Sequence, residues 1–217
     1  CMITNNFKKR IITSLILFFL IFLIIINKPI LIYSLIVISV ISMLEFFNMI
    51  KKIFENNLLK ILINSTFVCY VSLFSILFLF YSNFFQFKII LFSLLFGCIA
   101  SDIGGYVFGK TFKGPKLTKI SPKKTISGSL GSLMFSSIFF SFGFFYLNNT
   151  INIKIILVGF LTSIVCQMGD LFFSFLKRKA NVKDTGNFFP GHGGVLDRLD
   201  GILFGIPCGF VFLILLF

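Results

Sequence analysis

The residues best suited to chemistry lie in one polar segment, residues 174–200, between two strongly apolar stretches. The segment holds five of the 20 basic residues, three of the 7 acidic residues and the single histidine. They are Lys177, Arg178, Lys179, Lys183 and Arg198; Asp184, Asp197 and Asp200; and His192. Because the rest of the chain is mostly apolar, this concentration of charge predicts a functional site.

A polar stripe precedes and enters this segment. Gln167, Asp170, Ser174 and Lys177 follow one another at spacings of three, four and three, which places them on one face of a helix. Asp170, like Asp102, also lies near the end of an apolar run. A carboxylate within a membrane costs roughly 3 kcal/mol unless it meets water, a cation or a partner. We therefore favour a functional role over a structural salt bridge for both aspartates.

The glycine-rich stretch 190–194 and its basic neighbours favour phosphate binding, because a glycine backbone can approach a ligand closely. Asp197 and Asp200 are three positions apart and can share one side of a helix start. Oxygen ligands without a cysteine or a second histidine favour Mg²⁺ over zinc. His192 could be a general base, a phosphate donor or a turn residue, and metal ligation is the least favoured role.

A second basic stretch, residues 110–124, ends in Ser121-Pro-Lys-Lys-Thr125. Ser121, Lys123, Lys124 and Thr125 would offer hydroxyl, amide and ammonium groups to an anion at a helix start. A simple anchoring loop is the alternative. Glu45, inside the second apolar run, has no local partner, so packing and function are equally open for it.

The composition identifies a membrane protein, because 57% hydrophobic and 12% charged residues cannot cover a water-facing surface. Seven apolar runs have roughly membrane-spanning length. They are residues 11–26, 30–50, 61–80, 89–108, 126–147, 153–176 and 201–217. We expect a single all-α polytopic membrane domain, with apolar N-terminal helices in 1–88 and a catalytic core in 89–217. The first run is kept as a span, and the cysteines are expected to be small apolar residues of the helices.

The basic residues predict the orientation, because cytoplasmic loops of membrane proteins collect lysine and arginine. With the N-terminus inside and the C-terminus outside, all but three of the 20 basic residues lie on the inner side. The exceptions are Lys28, Lys88 and Lys154. Residues 110–125 and 177–200 then form cytoplasmic loops, and the net charge of +13 faces anionic lipid rather than nucleic acid.

Taken together, the polar residues resemble the C-terminal signature of the phosphatidate cytidylyltransferase (CDP-diglyceride synthase) family. Its fixed positions are filled at the family's spacing by Ser174, Lys177, Arg178, Lys183, Asp184, Gly186, Phe189, Pro190, His192, Gly193, Gly194, Asp197, Arg198 and Asp200. Further matching elements are Gln167-x-Gly-Asp-Leu, Asp102 with Gly105, Tyr106 and Gly109, the Ser121–Thr125 stretch and Glu45-Phe-Phe. The resemblance covers about half of the chain.

The resemblance implies an enzyme of phospholipid biosynthesis that transfers CMP from CTP to phosphatidic acid, giving CDP-diacylglycerol and pyrophosphate. It implies Asp170 and Asp197 as Mg²⁺ ligands, with room for a second cation, and catalytic roles for Lys177 and Arg198. Asp102, Asp184 and Asp200 are secondary candidates. The remaining residues are implied to bind substrate: Ser121, Lys123, Lys124, Thr125, Ser174, Arg178, Lys183, His192, Gly193 and Gly194. The implied location is the cell inner membrane, with the active site facing the cytoplasm.

Two other functions fit parts of the sequence. A transporter would explain carboxylates within the membrane, and a CTP-dependent lipid kinase of the polyprenol type would also bind CTP. The chain departs from the family pattern at Ser127, where an acidic residue is usual, and in a shorter N-terminal half. Glycines 105 and 109 permit close helix contact, either within the chain or in a homodimer.

Overall fold

The computed structural model describes residues 16–118, 121–122, 124–188 and 193–217. Within these ranges the chain forms seven α-helices, and β-type pairing is limited to isolated bridges. The helices are α1 (Ile16–Ile26), α2 (Lys28–Ile53), α3 (Asn57–Ser82), α4 (Phe85–Thr111), α5 (Ile126–Asn148), α6 (Ile153–Lys179) and α7 (Leu196–Leu216). This arrangement confirms the predicted all-α class.

Six of the described helices, α2 to α7, are long and apolar enough to cross a membrane. The described part of α1 is shorter, and the predicted beginning of that span at Ile11 lies outside the described residues. The chain is therefore a multi-pass membrane protein. Each of the helices α2 to α7 extends beyond its predicted apolar run, and two do so into the polar segment: α6 continues to Lys179, and α7 begins at Leu196 instead of Gly201. Helical geometry thus governs part of the polar segment that the sequence suggested was a loop.

The chain divides into two compact units, which are described separately. The first comprises residues 1–76 and 176–198. In it, the rings of Phe46 on α2 and Phe67 on α3 stack with their centroids 3.8 Å apart. The hydroxyl groups of Ser39 and Ser75 form a hydrogen bond of 2.8 Å between the same helices. Apolar packing and a polar contact therefore both join α2 to α3.

The second unit comprises residues 77–175 and 199–217, and glycines bring two of its helices together. A Cβ atom added at Gly104 of α4 would lie 2.5 Å from the carbonyl oxygen of Gly131 on α5. One added at Gly128 would lie 2.7 Å from the carbonyl oxygen of Gly105. Only glycine permits such an approach of two backbones. The small residues of α4 therefore serve a contact within the chain.

Polar side chains connect α6 to both of these helices. Ser101 on α4 and Ser163 on α6 share a buried hydrogen bond of 2.8 Å. Ser129 on α5 donates a 2.6 Å hydrogen bond to the Gln167 side chain on α6. Such bonds help to fix neighbouring helices where water is scarce. The assignment of residues 1–217 to one domain, with its division at residue 88, stays a prediction.

Candidate functional site

Three potential metal ligands converge in the second unit. Asp102 on α4 and the pair Cys166 and Asp170 on α6 each offer one ligand atom, and these atoms lie within 4.8 Å of one another. The two α6 residues are four positions apart and so share one face of the helix. The two aspartates were predicted from the sequence, whereas the cysteine was expected to be an apolar residue of the helix. The thiol belongs to the same group because of that helical spacing.

The Asp170 carboxylate is poised to accept a cation. Its Oδ2 atom receives a 3.0 Å hydrogen bond from the Lys124 ammonium group, whereas its buried Oδ1 atom accepts no hydrogen bond from the part of the chain that the structure describes. A Cβ atom added at Gly201 would lie 2.7 Å from Oδ1, so the glycine leaves space beside it. A buried carboxylate oxygen without a partner is costly. The two carboxylates therefore fit a hard divalent cation, for which the Cys166 thiol is a poor ligand.

The loop before α5 brings Lys124 to Asp170. Lys116 and Thr125 pair in an antiparallel bridge, and the Leu117 backbone N–H donates a 2.8 Å hydrogen bond to the Lys124 carbonyl. Thr125 then caps α5, because its hydroxyl oxygen accepts a hydrogen bond of 3.1 Å from the Gly128 N–H. The bridge and the cap therefore hold Thr125, which directly follows Lys124, in place. A basic loop is thereby held with one ammonium group at the α6 carboxylate.

Ser127 closes the same loop. Its hydroxyl group donates to the backbone carbonyl of Lys113 and also lies 3.1 Å from the Thr125 hydroxyl. Lys113 and the following Gly114 both have positive φ angles, 52° and 116°, so the chain reverses sharply there. The serine at the position where the resemblance expects an acid therefore has a structural contact of its own.

Asp197 organises the polar segment of the first unit. Its Oδ1 atom accepts a 2.7 Å hydrogen bond from the Lys177 ammonium group. Its Oδ2 atom accepts from the backbone N–H groups of Thr185 at 2.8 Å and Gly194 at 3.0 Å. The ion pair is largely shielded, since the lysine and aspartate side chains are 14% and 7% exposed. Asp197 therefore joins the end of α6, the connecting segment and the start of α7.

Glu45 on α2 contacts the same segment of the first unit. Its Oε1 atom accepts a 3.0 Å hydrogen bond from the Val195 N–H, and its Oε2 atom accepts one of 2.9 Å from the Leu196 N–H. The Thr185 hydroxyl donates a third, of 2.7 Å, to Oε2. The sequence showed no local partner for Glu45 because its partners follow about 140 to 151 positions later. The structure thus supplies distant partners for Glu45, in agreement with the absence of a local one.

The remaining predicted residues are divided between the units. The second unit contains Ser121, Lys124, Thr125, Ser174, Asp102, Asp170 and Asp200; the first contains Lys177, Arg178, Lys183, Asp184, Gly193, Gly194, Asp197 and Arg198. Lys123 and His192 lie outside the described residues. The structure brings Lys124 to Asp170 and Lys177 to Asp197. A shared metal site of Asp170 and Asp197 stays a prediction.

Sequence reasoning missed Cys166, Thr185 and the partners of Glu45. The position of Cys166, four residues before Asp170, was the available signal for the first. Thr185 follows directly after Asp184, but its type and position alone do not distinguish it from an ordinary loop threonine. The Glu45-Phe-Phe element was noticed, yet a lone carboxylate in an apolar run does not reveal which segment it contacts.

Comparison with known proteins places these residues in a family. The family model described as the cytidylyltransferase family matches residues 54–216. A protein of Synechocystis sp. named phosphatidate cytidylyltransferase is 45% identical over 125 residues, which cover 57% of this chain and 43% of the relative. Proteins of that name from Helicobacter pylori and Rickettsia felis are 43% and 39% identical. These matches cover 52% and 56% of this chain, and 42% and 58% of the respective relatives.

The chain thus spans about half the length of these curated relatives. The family match itself extends over most of the chain, from directly after α2 to the end of α7. It includes both the Asp102, Cys166 and Asp170 group and the Lys177–Asp197 ion pair. The chain belongs to the cytidylyltransferase family.

Proposed function

We propose that this protein transfers CMP from CTP to phosphatidic acid, producing CDP-diacylglycerol and pyrophosphate. The observation that carries the proposal is the group of Asp102, Cys166 and Asp170 on two membrane helices, beside Lys124. A cation site next to a basic loop suits a nucleotide substrate. The names of the relatives supply the particular reaction.

The reaction joins two anions, so catalysis depends mainly on neutralising charge and aligning the reactants. A phosphate oxygen of the lipid attacks the α-phosphorus of CTP, and the bond from that phosphorus to the pyrophosphate oxygen breaks. A bound Mg²⁺ would stabilise negative charge on the phosphate oxygens. In the second unit, Asp170 and Asp102 would hold this ion, and Lys124 would attract the phosphates of the incoming nucleotide.

The first unit contains a second set of basic residues. Lys183, Arg178 and Arg198 are exposed and are proposed to contact phosphate groups. Lys177 already pairs with Asp197, so we propose that it acts by fixing that carboxylate as well as by contributing charge. The roles of Asp197 as a second metal ligand and of Gly193 and Gly194 as substrate contacts remain predictions.

We further propose that the protein lies in the cell inner membrane with its basic loops in the cytoplasm. This orientation would place acyl chains of the lipid between the helices while CTP approaches from water. The numerous lysine and arginine residues of those loops support it. The same charge favours both substrates, which are anionic.

The orientation can be tested by cysteine labelling. In a variant without the native cysteines, new cysteines at Lys116, Asn187 and Asn149 would all be exposed. We expect a membrane-impermeant maleimide to label the first two only from the cytoplasmic face and the third only from the opposite face. Labelling of position 116 from outside would overturn the proposed orientation.

The proposed reaction can be distinguished from its alternatives by one assay. Purified protein is incubated with phosphatidic acid, Mg²⁺ and CTP labelled either in the cytidine or in the γ-phosphate. Cytidine label in the lipid is the expected result. Transfer of the γ-phosphate to a polyprenol would indicate a lipid kinase. If neither label enters lipid and the protein carries a solute across the membrane of vesicles, a transporter would be favoured.

Ser127 provides a test of the departure from the family pattern. If an acid at this position assisted the cation, Ser127→Glu would raise activity at low Mg²⁺. We instead expect Ser127→Glu to lower activity, because a carboxylate cannot donate the hydrogen bond to the Lys113 carbonyl and would repel it. The measurement is turnover against Mg²⁺ concentration, with Ser127→Ala as the uncharged control. Greater activity of the glutamate variant at low Mg²⁺ would contradict the expectation.

A further inference from the structure

Two carboxylates in the first unit converge on Thr185. The threonine hydroxyl lies 2.7 Å from Glu45 Oε2 and 3.1 Å from Asp197 Oδ2, while its backbone N–H donates to Asp197 at 2.8 Å. Because a hydroxyl group has one hydrogen, the shorter contact assigns it to Glu45. Thr185 thus uses its side chain for one carboxylate and its backbone for the other.

The Glu45 carboxylate also binds the backbone at the beginning of α7. The Val195 and Leu196 N–H groups that it accepts are among the donors that a helix cannot satisfy within itself. A carboxylate at this end interacts favourably with the helix dipole. Glu45 takes part in neither of the two ion pairs found among the described residues. Backbone N–H groups and a hydroxyl therefore stabilise its charge.

The connecting segment fits closely around the Glu45 carboxylate. A Cβ atom added at either Gly186 or Gly194 would collide with a carboxylate oxygen of Glu45. Glu45 itself is buried, with 7% of its surface exposed. A buried acceptor with three donors and no space for alternatives adopts one position. That position determines where the first residues of α7 begin.

We propose that Glu45 is a positioning residue that fixes the start of α7 and, through Thr185, the Asp197 carboxylate. Glu45 lies before residues 54–216, the part matched by the family model, so this role comes from a helix outside that match. The expected effect of Glu45 on turnover rests on the proposed function, whereas its expected effect on the start of α7 does not. The structural part concerns the order of the segment itself.

The first experiment is amide hydrogen exchange by mass spectrometry on the full-length protein in detergent. In Glu45→Gln, an amide NH₂ group replaces one acceptor oxygen, so at least one of the two helix-start N–H groups loses its partner. We expect exchange in peptides covering 193–198 to be at least about tenfold faster than in the wild type. Glu55→Gln is the matched control, because Glu55 is exposed after the end of α2 and undergoes the same change of charge.

The second experiment measures turnover for the same variants. If Glu45 positions Asp197, Glu45→Gln should lower kcat at least about tenfold. The KM for CTP should change much less, and the melting temperature should fall, because a buried N–H group loses its acceptor. A purely structural residue would lower the amount of folded protein without this division between kcat and KM. Glu55→Gln should match the wild type in all three measurements.

Thr185 gives an independent route to the same answer if Glu45→Gln does not fold. Thr185→Val removes the hydroxyl group that donates to Glu45 but keeps the backbone N–H that donates to Asp197, whereas Thr185→Ser retains both. We expect faster exchange at 193–198 in the valine variant and protection close to that of the wild type in the serine variant. Equal exchange in the two variants would overturn the coupling through Thr185.

Two results would refute the positioning role of Glu45: unchanged exchange at 193–198 in Glu45→Gln, or faster exchange with wild-type kcat. If the wild-type protein does not transfer CMP, the proposed function fails. The exchange measurements would still decide whether Glu45 orders the start of α7. Failure of the one proposal is therefore distinguishable from failure of the other.

Discussion

Asp170→Asn is expected to reduce turnover at least about a hundredfold, equivalent to about 2.7 kcal/mol in the barrier, while the protein stays folded in the membrane. The Oδ1 atom that accepts no hydrogen bond among the described residues is the feature most consistent with a cation ligand. An asparagine retains the shape but not the charge. The measurement is the rate of cytidine transfer into lipid as Mg²⁺ is varied, together with the melting temperature.

Lys124→Met is the control that distinguishes the effect of losing the cation from the effect of losing the ion pair. It removes the ammonium partner of Asp170 but leaves the carboxylate. Binding of Mn²⁺, followed by electron paramagnetic resonance, should weaken in Asp170→Asn and persist in Lys124→Met. If Asp170→Asn keeps more than about a tenth of the wild-type rate, a barrier difference of about 1.4 kcal/mol or less, Asp170 is not an essential metal ligand.

Asp197→Asn is expected to lower both turnover and stability. The change would leave the shielded Lys177 ammonium group without its charged partner and would replace one acceptor oxygen with an NH₂ group. Removing one member of a largely buried ion pair costs about 3 kcal/mol. Thermal unfolding of the purified protein measures the stability, and CMP transfer measures the turnover.

The double variant Asp197→Asn, Lys177→Met provides the control for this second prediction. It removes the lysine charge that loses the Asp197 carboxylate in the single variant, so we expect the double variant to be more stable than Asp197→Asn alone. Its turnover should stay low, because Asp197 is still absent. Strictly additive losses of stability would show that the ion pair does not contribute as the geometry indicates.

The helices were largely predictable because each apolar run is long and is bounded by polar or turn residues. The runs at 126–147 and 153–176 lie entirely within α5 and α6. The beginning of α7 was only partly predicted, because Asp197 and Asp200 were expected to share one side of a helix start while the apolar run itself begins at Gly201. Their helical conformation depends on donors and acceptors contributed by other segments, including Glu45 and Thr185.

The candidate site was predictable where the information is local. The spacing of Gln167 and Asp170 indicated a polar face, and the structure gives both side chains partners near the start of α5. Contacts between distant segments carried no such pattern. Nothing in the local sequence assigns Glu45 to the start of α7, and Cys166 resembles any small residue of an apolar helix.

The glycine contacts between α4 and α5 also bear on how the protein responds to its lipid surroundings. Helices usually adapt to a thicker or thinner bilayer by changing tilt. Because the backbones of Gly104 and Gly131 touch, α4 and α5 have little freedom to tilt independently. The spacing between Asp102 on α4 and Lys124 before α5 should therefore be insensitive to acyl-chain length. A bulky residue at position 104 would separate α4 from α5. We expect the turnover of such a variant, unlike that of the wild type, to differ between vesicles of short-chain and long-chain lipids.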